Sequence, residues 1–443
     1  MHEFASDAPL CVALSGGMDS VVLLHSLVLQ ERFSSIRALH INHQLSDNAD
    51  SWQRHCETLC ASLEVPLTCI SVDVLSALGT NLEGLESRAR NCRYEAFEKD
   101  IAVGETFLLA HHADDQYETM LLRLMRGAGP SGLSGIPARR GLGLGSLYRP
   151  LLALPRQALH DYAQASQLSW VEDESNQDSR FDRNFCRNEV LPLLATRWPG
   201  YRSCWAKSSQ LLGEADELMQ ALAEFDIADA ATEDSSVLNL GTLQLLSQSR
   251  LRNAIRYWLH SLGLDDVGWS KLNAIVVAFD SIKQKTRTLV QANDFRLIVY
   301  AGKLYALPPV QELIKQSLPW QLDKQECVLP GNGCLRLISS VSMAAMSIDR
   351  SRMENVQIRY RQGGEEMKMP GRPTKSLKRL LQEAGIEPWL REQLPLIYIA
   401  EQLAFVPRVG VAESYFASPS DERAFTVEWV PQNFNWPLNE KSN

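Results

Sequence analysis

The fold of this chain is decided by the stretch LCVALSGGMDS, residues 10–20, and by the apolar run from Val21 to Gln30. The first five residues read as a buried strand, and the run after residue 20 reads as a helix. Between them lies a turn with two glycines and two serines. Such a strand–turn–helix unit forms a phosphate cradle, because glycine lets backbone N–H groups approach an anion and the helix N-terminus adds unpaired donors.

The turn itself predicts an ATP site. We expect all six of its residues to bind ATP, namely Ser15, Gly16, Gly17, Met18, Asp19 and Ser20. The carboxylate of Asp19 would repel phosphates unless Mg²⁺ lay between them, so Asp19 is also predicted to be catalytic and a metal ligand. The turn lacks the lysine of a Walker loop. It resembles the pyrophosphate loop (PP-loop) of enzymes that cleave ATP to AMP, whereas the alternative is an ordinary turn.

Charge distribution points to a large anionic partner. The net charge of −9 taken alone argues against nucleic acid. However, residues 119–160 contain six arginines and no acidic residue, and residues 359–391 contain eight basic residues. A solvated helix face explains either patch singly, but two basic patches in a chain with an ATP site favour an anionic macromolecule.

The N-terminus and the cysteines bear on location. No basic segment precedes an apolar one at the N-terminus, so we expect no signal peptide. The longest apolar stretch, residues 21–29, is interrupted by His25 and is too short to span a bilayer. We therefore expect a cytoplasmic protein without a membrane partner. Nine cysteines without a C-x-x-C pair predict buried thiols and no disulfide framework.

Strand-like and helix-like segments alternate over residues 8–125. The strand candidates are residues 10–14, 36–42, 66–72 and 106–110, and the helix candidates are residues 20–30, 47–63, 81–100 and 114–126. This alternation predicts an α/β fold with a doubly wound parallel sheet and helices on both faces. Ligands bind beyond the carboxyl ends of such strands, where the turn 15–20, Asn42-His43 and His111-His112 all fall.

The rest of the chain divides into further domains. We interpret the run Gly141 to Gly145 as part of a mobile basic loop. Heptad-like apolar spacing after residue 203 predicts a mainly helical domain, and a segment near residues 308–319 looks like a linker. The predicted domains are an ATP-binding catalytic domain at 1–202, a mainly helical domain at 203–310 and a small α+β domain at 320–443.

The segment HHADDQYET, residues 111–119, is the second strong signal. Three carboxylates, those of Asp114, Asp115 and Glu118, follow a strand end and begin a helix, with Asp114 and Glu118 on one face. Capping of the helix N-terminus explains the presence of one of these carboxylates. It explains the presence of three carboxylates and two histidines poorly. We predict an acidic, catalytic pocket that holds Mg²⁺ or the amine of a cationic substrate.

Three groups of basic residues complete the candidate sites. Arg183 and Arg187 are one helical turn apart, so an anion between them would relieve their repulsion, although a surface pair is equally compatible. Arg88, Arg90 and Arg93 with Tyr94 fit a salt-bridged helix face equally well. A predicted basic helix at 375–384 presents one positive face, formed by Lys375, Lys378 and Arg379.

The order of these motifs resembles the bacterial tRNA(Ile)-lysidine synthetase family. The shared motifs are SGGMDS, LHINH, NLE with AR and RY, HHADDQYET, and the segment from Arg183 to Arg187. The resemblance continues in the motifs YRQGGE around Arg361, KSLK at 375–378 and PWLR at 388–391. The resemblance implies an adenine-nucleotide α-hydrolase-like PP-loop fold and a C-terminal domain that binds tRNA.

The resemblance also implies a reaction and its partners. Members of the family join free L-lysine to C2 of the wobble cytidine in tRNA(Ile) with a CAU anticodon. ATP and Mg²⁺ are required, the cytidine O2 is first adenylated, and lysidine forms with release of AMP and pyrophosphate. Residues matched to tRNA binding are Arg183, Arg187, Arg361, Lys375, Lys378 and Arg379. The sequence leaves the oligomeric state open, a homodimer included.

Three other functions compete with this interpretation. A PP-loop tRNA thiolase is the nearest, but such enzymes usually need a cysteine pair, and only Cys56, Cys60 and Cys92 offer a weak substitute. An ATP-dependent amidotransferase would need a glutaminase domain or partner. A tRNA-binding module without activity would not need the intact loop and acidic segment.

Overall fold

The computed structural model describes residues 9–30, 33, 35–46, 48–74, 85–174, 178–264, 267–279, 286–292, 294–309, 315–321, 325–339, 348–349, 355–417 and 424–431. The chain divides into two compact units, residues 1–221 and 222–443. The finer division at residues 202 and 310 stays a prediction.

The first unit is built on a six-stranded sheet. Its strands are β1 (Leu10–Ala13), β2 (Ile36–Asn42), β3 (Leu67–Ser71), β4 (Thr106–Leu108), β5 (Arg139–Leu142) and β6 (Gly145–Tyr148). The order is β3-β2-β1-β4-β6-β5, and every pair is parallel except β5 with β6. The predicted doubly wound α/β fold is confirmed.

Helices cover both faces of this sheet. The helices that follow along the chain are α1 (Met18–Val28), α2 (Ala49–Ser62), α3 (Leu85–Asp100), α4 (Ala113–Met125), α5 (Pro130–Leu133), α6 (Arg156–Ala165), α7 (Asp182–Phe185), α8 (Leu191–Arg197) and α9 (Tyr201–Ala230), which continues into the second unit. On one face Leu10 and Val12 pack in a core with residues of α1 and α6. On the other face Cys11 shares a core with Phe97 of α3. The central strand is therefore apolar on both sides, as parallel strands usually are.

The strand order creates a switch point beside β1. The chain runs from β1 to β2 and β3 on one side, then returns to β4 on the other side of β1. The segments that follow β1 and β4 therefore leave the same edge of the sheet in opposite directions, and the crevice between them is where such folds bind ligands. The turn 15–20 and the segment 111–119 both lie there.

The expected mobile loop at residues 141–145 is wrong, because this segment is a tight hairpin between β5 and β6. Gly143 has a φ of +49°, and a Cβ at Gly145 would collide with the backbone carbonyl of Glu105. Glycine is needed here for the turn and for a close backbone approach. The repeated glycines mark a packed edge of the sheet.

The second unit begins with a four-stranded antiparallel sheet covered by helices. The strands are β7 (Val237–Asn239), β8 (Thr286–Gln291), β9 (Arg296–Tyr300) and β10 (Lys303–Leu307), in the order β7-β10-β9-β8. The helices are α10 (Leu240–Gln244), α11 (Gln248–Ser261) and α12 (Trp269–Phe279). Trp258 of α11 and Phe279 of α12 lie in one core with Leu297 of β9. The described part of residues 203–310 is mainly helical, as predicted.

The C-terminal part of the second unit is α+β. Its strands are β11 (Leu318–Pro319), β12 (Glu326–Val328), β13 (Cys334–Ser339), β14 (Ile348–Asp349), β15 (Val356–Arg359), β16 (Glu366–Met367), β17 (Lys375–Ser376), β18 (Leu396–Ile399), β19 (Gln402–Val406), β20 (Gly410–Val411) and β21 (Ala424–Val430). They form antiparallel sheets with α13 (Leu377–Glu383) beside them. The predicted helix at 375–384 is thus shorter, because Lys375 belongs to β17.

Two expectations about location and cysteines can be compared with the structure. No helix in the described ranges is long and apolar enough to cross a membrane. The nine cysteines form no disulfide with one another, and Cys11, Cys56, Cys60, Cys186 and Cys334 are buried as predicted. The expectation that the thiols are buried is wrong for Cys69 and Cys204, which are exposed.

Candidate active site at the switch point of the sheet

The turn 15–20 folds as a compact anion cradle. The Ser20 hydroxyl donates to the Gly17 carbonyl oxygen at 2.9 Å and lies 3.1 Å from the Ser15 hydroxyl. Helix α1 begins after Gly17 without a side-chain cap, so its first N–H groups are available to a ligand. Gly16 has a φ of +86°, and a Cβ there would lie 3.0 Å from Val171 and 3.1 Å from the Cys56 sulfur. Only glycine fits this position without strain.

Asp19 connects this turn to the second motif. One of its oxygens, Oδ2, lies 3.5 Å from Nε2 of His112, and the other, Oδ1, is buried and has no hydrogen-bond partner among the described residues. Burial alone would lower the pKa of His112, but the hydrogen bond to Asp19 and the charge of Asp115 outweigh it and raise the pKa. An unpartnered buried carboxylate oxygen is a ready ligand for a hard cation.

The carboxylate of Asp19 beside the anion cradle fits Mg²⁺ that is bound together with ATP. Within the described ranges, no group of three histidine, cysteine or acidic side chains could hold a metal ion by itself. Mg²⁺ is commonly held by one or two carboxylates, with substrate phosphates and water as its other ligands. Oδ1 of Asp19, next to the anion cradle, matches that pattern.

The acidic helix α4 pairs with the arginine segment. Nε and Nη2 of Arg187 donate to the two oxygens of Glu118, at 2.6 and 3.0 Å, and Nε of Arg183 donates to Glu118 at 2.7 Å. Arg183 also donates to Asp115 at 2.8 Å. The anion expected between the two arginines is thus supplied by the protein itself. The Glu118 side chain is 1% exposed, whereas the two arginine side chains are partly exposed, so the carboxylate is the buried member of this network.

A stretch of π-helix between α7 and α8 accompanies this pairing. Residues Cys186–Val190 continue α7 into α8 with wider helical geometry. Such segments often occur at functional sites. Arg183 precedes the π-helical stretch and Arg187 lies within it, yet both side chains contact the same carboxylate, Glu118.

Asp115 is the junction of the site. Its Oδ2 accepts a hydrogen bond from the backbone N–H of His112 at 2.9 Å, while its Oδ1 accepts from Arg183. Burial would raise the pKa of Asp115, but the charges of His112 and Arg183 and the backbone hydrogen bond lower it. Asp115 therefore stays ionised and links the turn 15–20, through His112, to the arginine pair.

Asp114 and Glu118 do not act as one pair, although they are four residues apart. Asp114 accepts hydrogen bonds from Arg202 at 2.9 Å and from the backbone N–H of Arg156 at 2.8 Å. The interpretation that these two carboxylates share one pocket is therefore not supported by their contacts. Arg202 was not identified from the sequence, because it is separated from Asp114 by 88 residues.

His111 faces a different set of residues. Its Nδ1 accepts a hydrogen bond from Nε of Arg149 at 3.3 Å. Burial, together with the charges of Arg149 and Arg183, lowers the pKa of His111 to about 3, so the ring is neutral. Arg149 is itself 3% exposed. Sequence reasoning counted Arg149 only as part of a basic patch.

The structure brings some of the predicted site residues together, but not all of them. Asp19, His112, Asp115, Glu118, Arg183 and Arg187 form one connected group at the switch point. Arg361, Lys375, Lys378 and Arg379 belong to the second unit. Lys375 and Arg379 both pair with Glu383, so they do not form the continuous positive helix face that we predicted.

Family models match three parts of the chain. A PP-loop domain matches residues 2–194, a TilS substrate binding domain matches residues 238–305, and a TilS substrate C-terminal domain matches residues 356–429. The first match covers the parallel sheet of the first unit, and the other two fall in the antiparallel sheets of the second unit.

Named relatives match nearly the whole chain. A tRNA(Ile)-lysidine synthase of Pseudomonas aeruginosa is 37% identical over 436 residues, which cover 95% of this chain and 93% of the relative. One of Serratia proteamaculans is 37% identical, with 97% of each chain covered. A solved U34-tRNA thiolase, NcsA from Methanococcus maripaludis, is 13% identical with a TM-score of 0.39, covering 48% of this chain and 75% of its own. The chain belongs to the tRNA(Ile)-lysidine synthase family.

Proposed function

We propose that this protein ligates free L-lysine to C2 of the wobble cytidine in tRNA(Ile) with a CAU anticodon. ATP first adenylates the cytidine O2 and pyrophosphate leaves. The lysine ε-amine then attacks C2, the C2–O2 bond breaks, and AMP leaves with the oxygen while the amine gives up a proton. The product, lysidine, pairs with A instead of G.

One observation carries this proposal. The ATP cradle and the acidic segment meet through His112, whose Nε2 lies 3.5 Å from Asp19 and whose backbone N–H donates to Asp115 at 2.9 Å. An anion site for ATP is thus next to ionised carboxylates that suit a cationic amine. A site for the nucleotide and a site for the amine would therefore lie at the same edge of the sheet.

The residues suit the two steps in order. The N–H groups at the start of α1 and the hydroxyls of Ser15 and Ser20 stabilise the charge that develops on the departing pyrophosphate. Asp115 or Asp114 attracts the lysine ammonium group and takes up its proton as the amine attacks. Glu118 acts through Arg183 and Arg187, whose positions it sets.

We propose Asp19 as the protein ligand of Mg²⁺. Bound there, the ion would offset the negative charge of the ATP phosphates next to the carboxylate. The support is the unpartnered Oδ1 of Asp19 beside the cradle. The fit predicts that the first step needs both the carboxylate and a divalent cation.

The partners follow from the same proposal. We assign Arg361, Lys375, Lys378 and Arg379 to contacts with tRNA phosphates away from the reaction. Arg183 and Arg187 are assigned to the target nucleotide, because their guanidinium groups border the acidic pocket. The protein acts where its tRNA is found, in the cytoplasm, and a homodimer is compatible with the proposal.

The test is direct. The protein is incubated with ATP, lysine and unmodified tRNA(Ile), and AMP release and the mass of the tRNA are measured. We expect AMP together with a lysine-dependent gain in tRNA mass. Asp19→Ala should abolish both while the circular dichroism spectrum and melting temperature stay close to the parent values. AMP formation by this variant near the parent rate would overturn the ATP-site assignment, and a gain of sulfur mass would identify a thiolase.

A further inference from the structure

A cluster of three arginines surrounds one tyrosine next to the active site. The Cζ atoms of Arg140 and Arg90 lie 4.6 and 5.0 Å from the centre of the Tyr94 ring. Nη2 of Arg149 donates to the Tyr94 hydroxyl at 3.3 Å. We call these four residues the tyrosine–arginine cluster. Burial would raise the pKa of Tyr94, but the charges of the three arginines lower it.

The cluster has no acidic partner within the part of the chain that the structure describes. Arg149 donates to neutral acceptors only: the Pro137 carbonyl oxygen at 2.6 Å, Nδ1 of His111 and the Tyr94 hydroxyl. Stacking on the ring holds Arg90 and Arg140 in place without neutralising them. Three guanidinium groups that converge on one ring repel each other, and one of them is buried. An anionic ligand would relieve this repulsion.

The position of the cluster separates it from the ATP cradle. His111 and His112 are consecutive residues, and the backbone at His112 is extended, with φ −123° and ψ 179°. Consecutive side chains of extended backbone point to opposite sides. His112 faces Asp19 of the cradle, while His111 faces Arg149 of the cluster. The cluster is therefore on the far side of the histidine pair from the ATP phosphates.

We infer that the tyrosine–arginine cluster binds a phosphate group, and that this phosphate is an RNA phosphodiester adjacent to the target cytidine. The inference rests on the proposed function for the identity of the RNA. The planar forks of Arg90 and Arg140 suit phosphate oxygens. Arg90 is exposed, Arg140 is half-buried and Arg149 is buried, so a strand of RNA can approach from the surface. The ATP phosphates already have their own cradle.

The first measurement is RNA binding without turnover. A fluorescently labelled anticodon stem-loop is titrated with the parent and with Arg140→Gln over a range of salt concentrations. We expect the dissociation constant to rise about tenfold, since a hydrogen bond to a charged group is lost. The negative slope of the logarithm of the association constant against the logarithm of salt concentration should become shallower by about 0.7, the value for one phosphate contact in single-stranded nucleic acid.

A matched control separates position from charge. Arg197 is exposed and also stacks on an aromatic ring, with its Cζ 5.8 Å from the centre of Trp198. Arg197→Gln removes the same charge and the same kind of stacking outside the cluster, so RNA binding should stay near the parent value. Equal losses in the two variants would overturn the inference. Arg140→Lys keeps the charge and should recover part of the affinity, whereas no recovery with an unchanged melting temperature would argue against a phosphate contact.

The second measurement identifies the phosphate. Stem-loops carry a single neutral methylphosphonate at one of the linkages beside the target cytidine. For the parent, one such substitution should weaken binding about tenfold, and for Arg140→Gln the same substitution should have no further effect. Additive losses at every linkage would show that Arg140 contacts none of them.

A third measurement tests whether the cluster binds the phosphates of ATP instead of those of RNA. The KM for ATP and the inhibition by inorganic pyrophosphate should be the same in the parent and Arg140→Gln. A higher KM for ATP with unchanged RNA binding would assign the cluster to the nucleotide and overturn the inference. If the parent binds the stem-loop but attaches no lysine to tRNA(Ile), the proposed function fails while the binding comparison still decides on the cluster.

Discussion

Two sets of arginines flank the histidine pair and differ in what balances their charge. Arg183 and Arg187 share two carboxylates, with Glu118 held by both at distances of 2.6 and 2.7 Å. In the tyrosine–arginine cluster, Arg90 and Arg140 stack on Tyr94, and among the described residues Arg149 donates to neutral acceptors only. The first set is balanced internally, and the second is not.

Arginine therefore has two different roles at this site. Arginines that are paired with buried carboxylates keep a fixed geometry, and removing one partner leaves a buried charge without compensation. Arginines without a carboxylate keep their charge available to a ligand. The sequence shows both sets only as basic residues, so only the tertiary contacts separate them.

The largest effect is expected at Glu118. Glu118→Gln removes a buried charge that two partly exposed arginines share. We expect the free energy of unfolding to fall by about 3 kcal/mol, because breaking a buried ion pair leaves its partners uncompensated. Urea denaturation followed by circular dichroism measures the change.

Glu189→Gln is the matched control for this prediction. Glu189 is exposed in the π-helical stretch that carries Arg187, and none of the described residues forms an ion pair with it. Its substitution should change stability by less than about 0.5 kcal/mol. A similar stability for the two variants would show that the arginine pair does not depend on Glu118.

The second prediction concerns the carboxylates that remain for lysine. Asp115→Asn should raise the KM for lysine about tenfold, as loss of a charge-assisted contact does, and leave the KM for ATP nearly unchanged. Asp114 is the competing candidate, although its contacts with Arg202 and the N–H of Arg156 direct it elsewhere. Initial rates measured against lysine and against ATP separate the two variants.

A carboxylate of the second unit provides the control for the lysine experiment. Asp229→Asn removes an exposed carboxylate from α9, and we expect both KM values to match the parent. If neither Asp115→Asn nor Asp114→Asn changes the use of lysine, the acidic segment has a structural or metal-binding role only.

Much of the fold could be predicted from the sequence, because it depends on local patterns. The strand at residues 36–42 is confirmed with the same bounds, and the candidates at 10–14, 66–72 and 106–110 are longer than the strands by one or two residues. The hairpin at residues 139–148 was missed, because its glycines serve a close approach to the Glu105 carbonyl oxygen that only the tertiary fold creates. Local glycine content could not distinguish a packed turn from a mobile loop.

The segments that form the candidate site could be predicted from the sequence, but the ion pairs between them could not. The turn 15–20 and the acidic segment were recognised because each lies within a few consecutive residues. The ion pair of Arg183 with Glu118 joins residues 65 positions apart, and that of Arg202 with Asp114 joins residues 88 apart. Nothing local indicates which arginine meets which carboxylate, so the sequence left a phosphate site and a surface pair as equal interpretations for Arg183 and Arg187.

The same contrast between paired and unpaired cations recurs near helix α13 in the second unit. Nζ of Lys375 donates to both oxygens of Glu383 at 2.8 Å, and Nε of Arg379 donates to Glu383 at 3.1 Å. Lys378 is exposed, and no carboxylate of the described residues forms an ion pair with it. Glu383 thus reduces the positive potential that we assign to tRNA binding.

The smallest expected effect is a gain of binding upon removal of Glu383. Glu383→Gln frees Lys375 and Arg379, and because exposed ion pairs contribute only about 0.2–1 kcal/mol, the fold should be retained. The dissociation constant for full-length tRNA should fall about twofold to threefold, and its salt dependence should steepen. Glu366→Gln removes the same charge from an exposed glutamate in β16 and should have a weaker effect. An isolated anticodon stem-loop should not distinguish the variants, because this helix is assigned to phosphates farther along the tRNA. Equal gains with the stem-loop and with full-length tRNA would instead place these cations next to the anticodon.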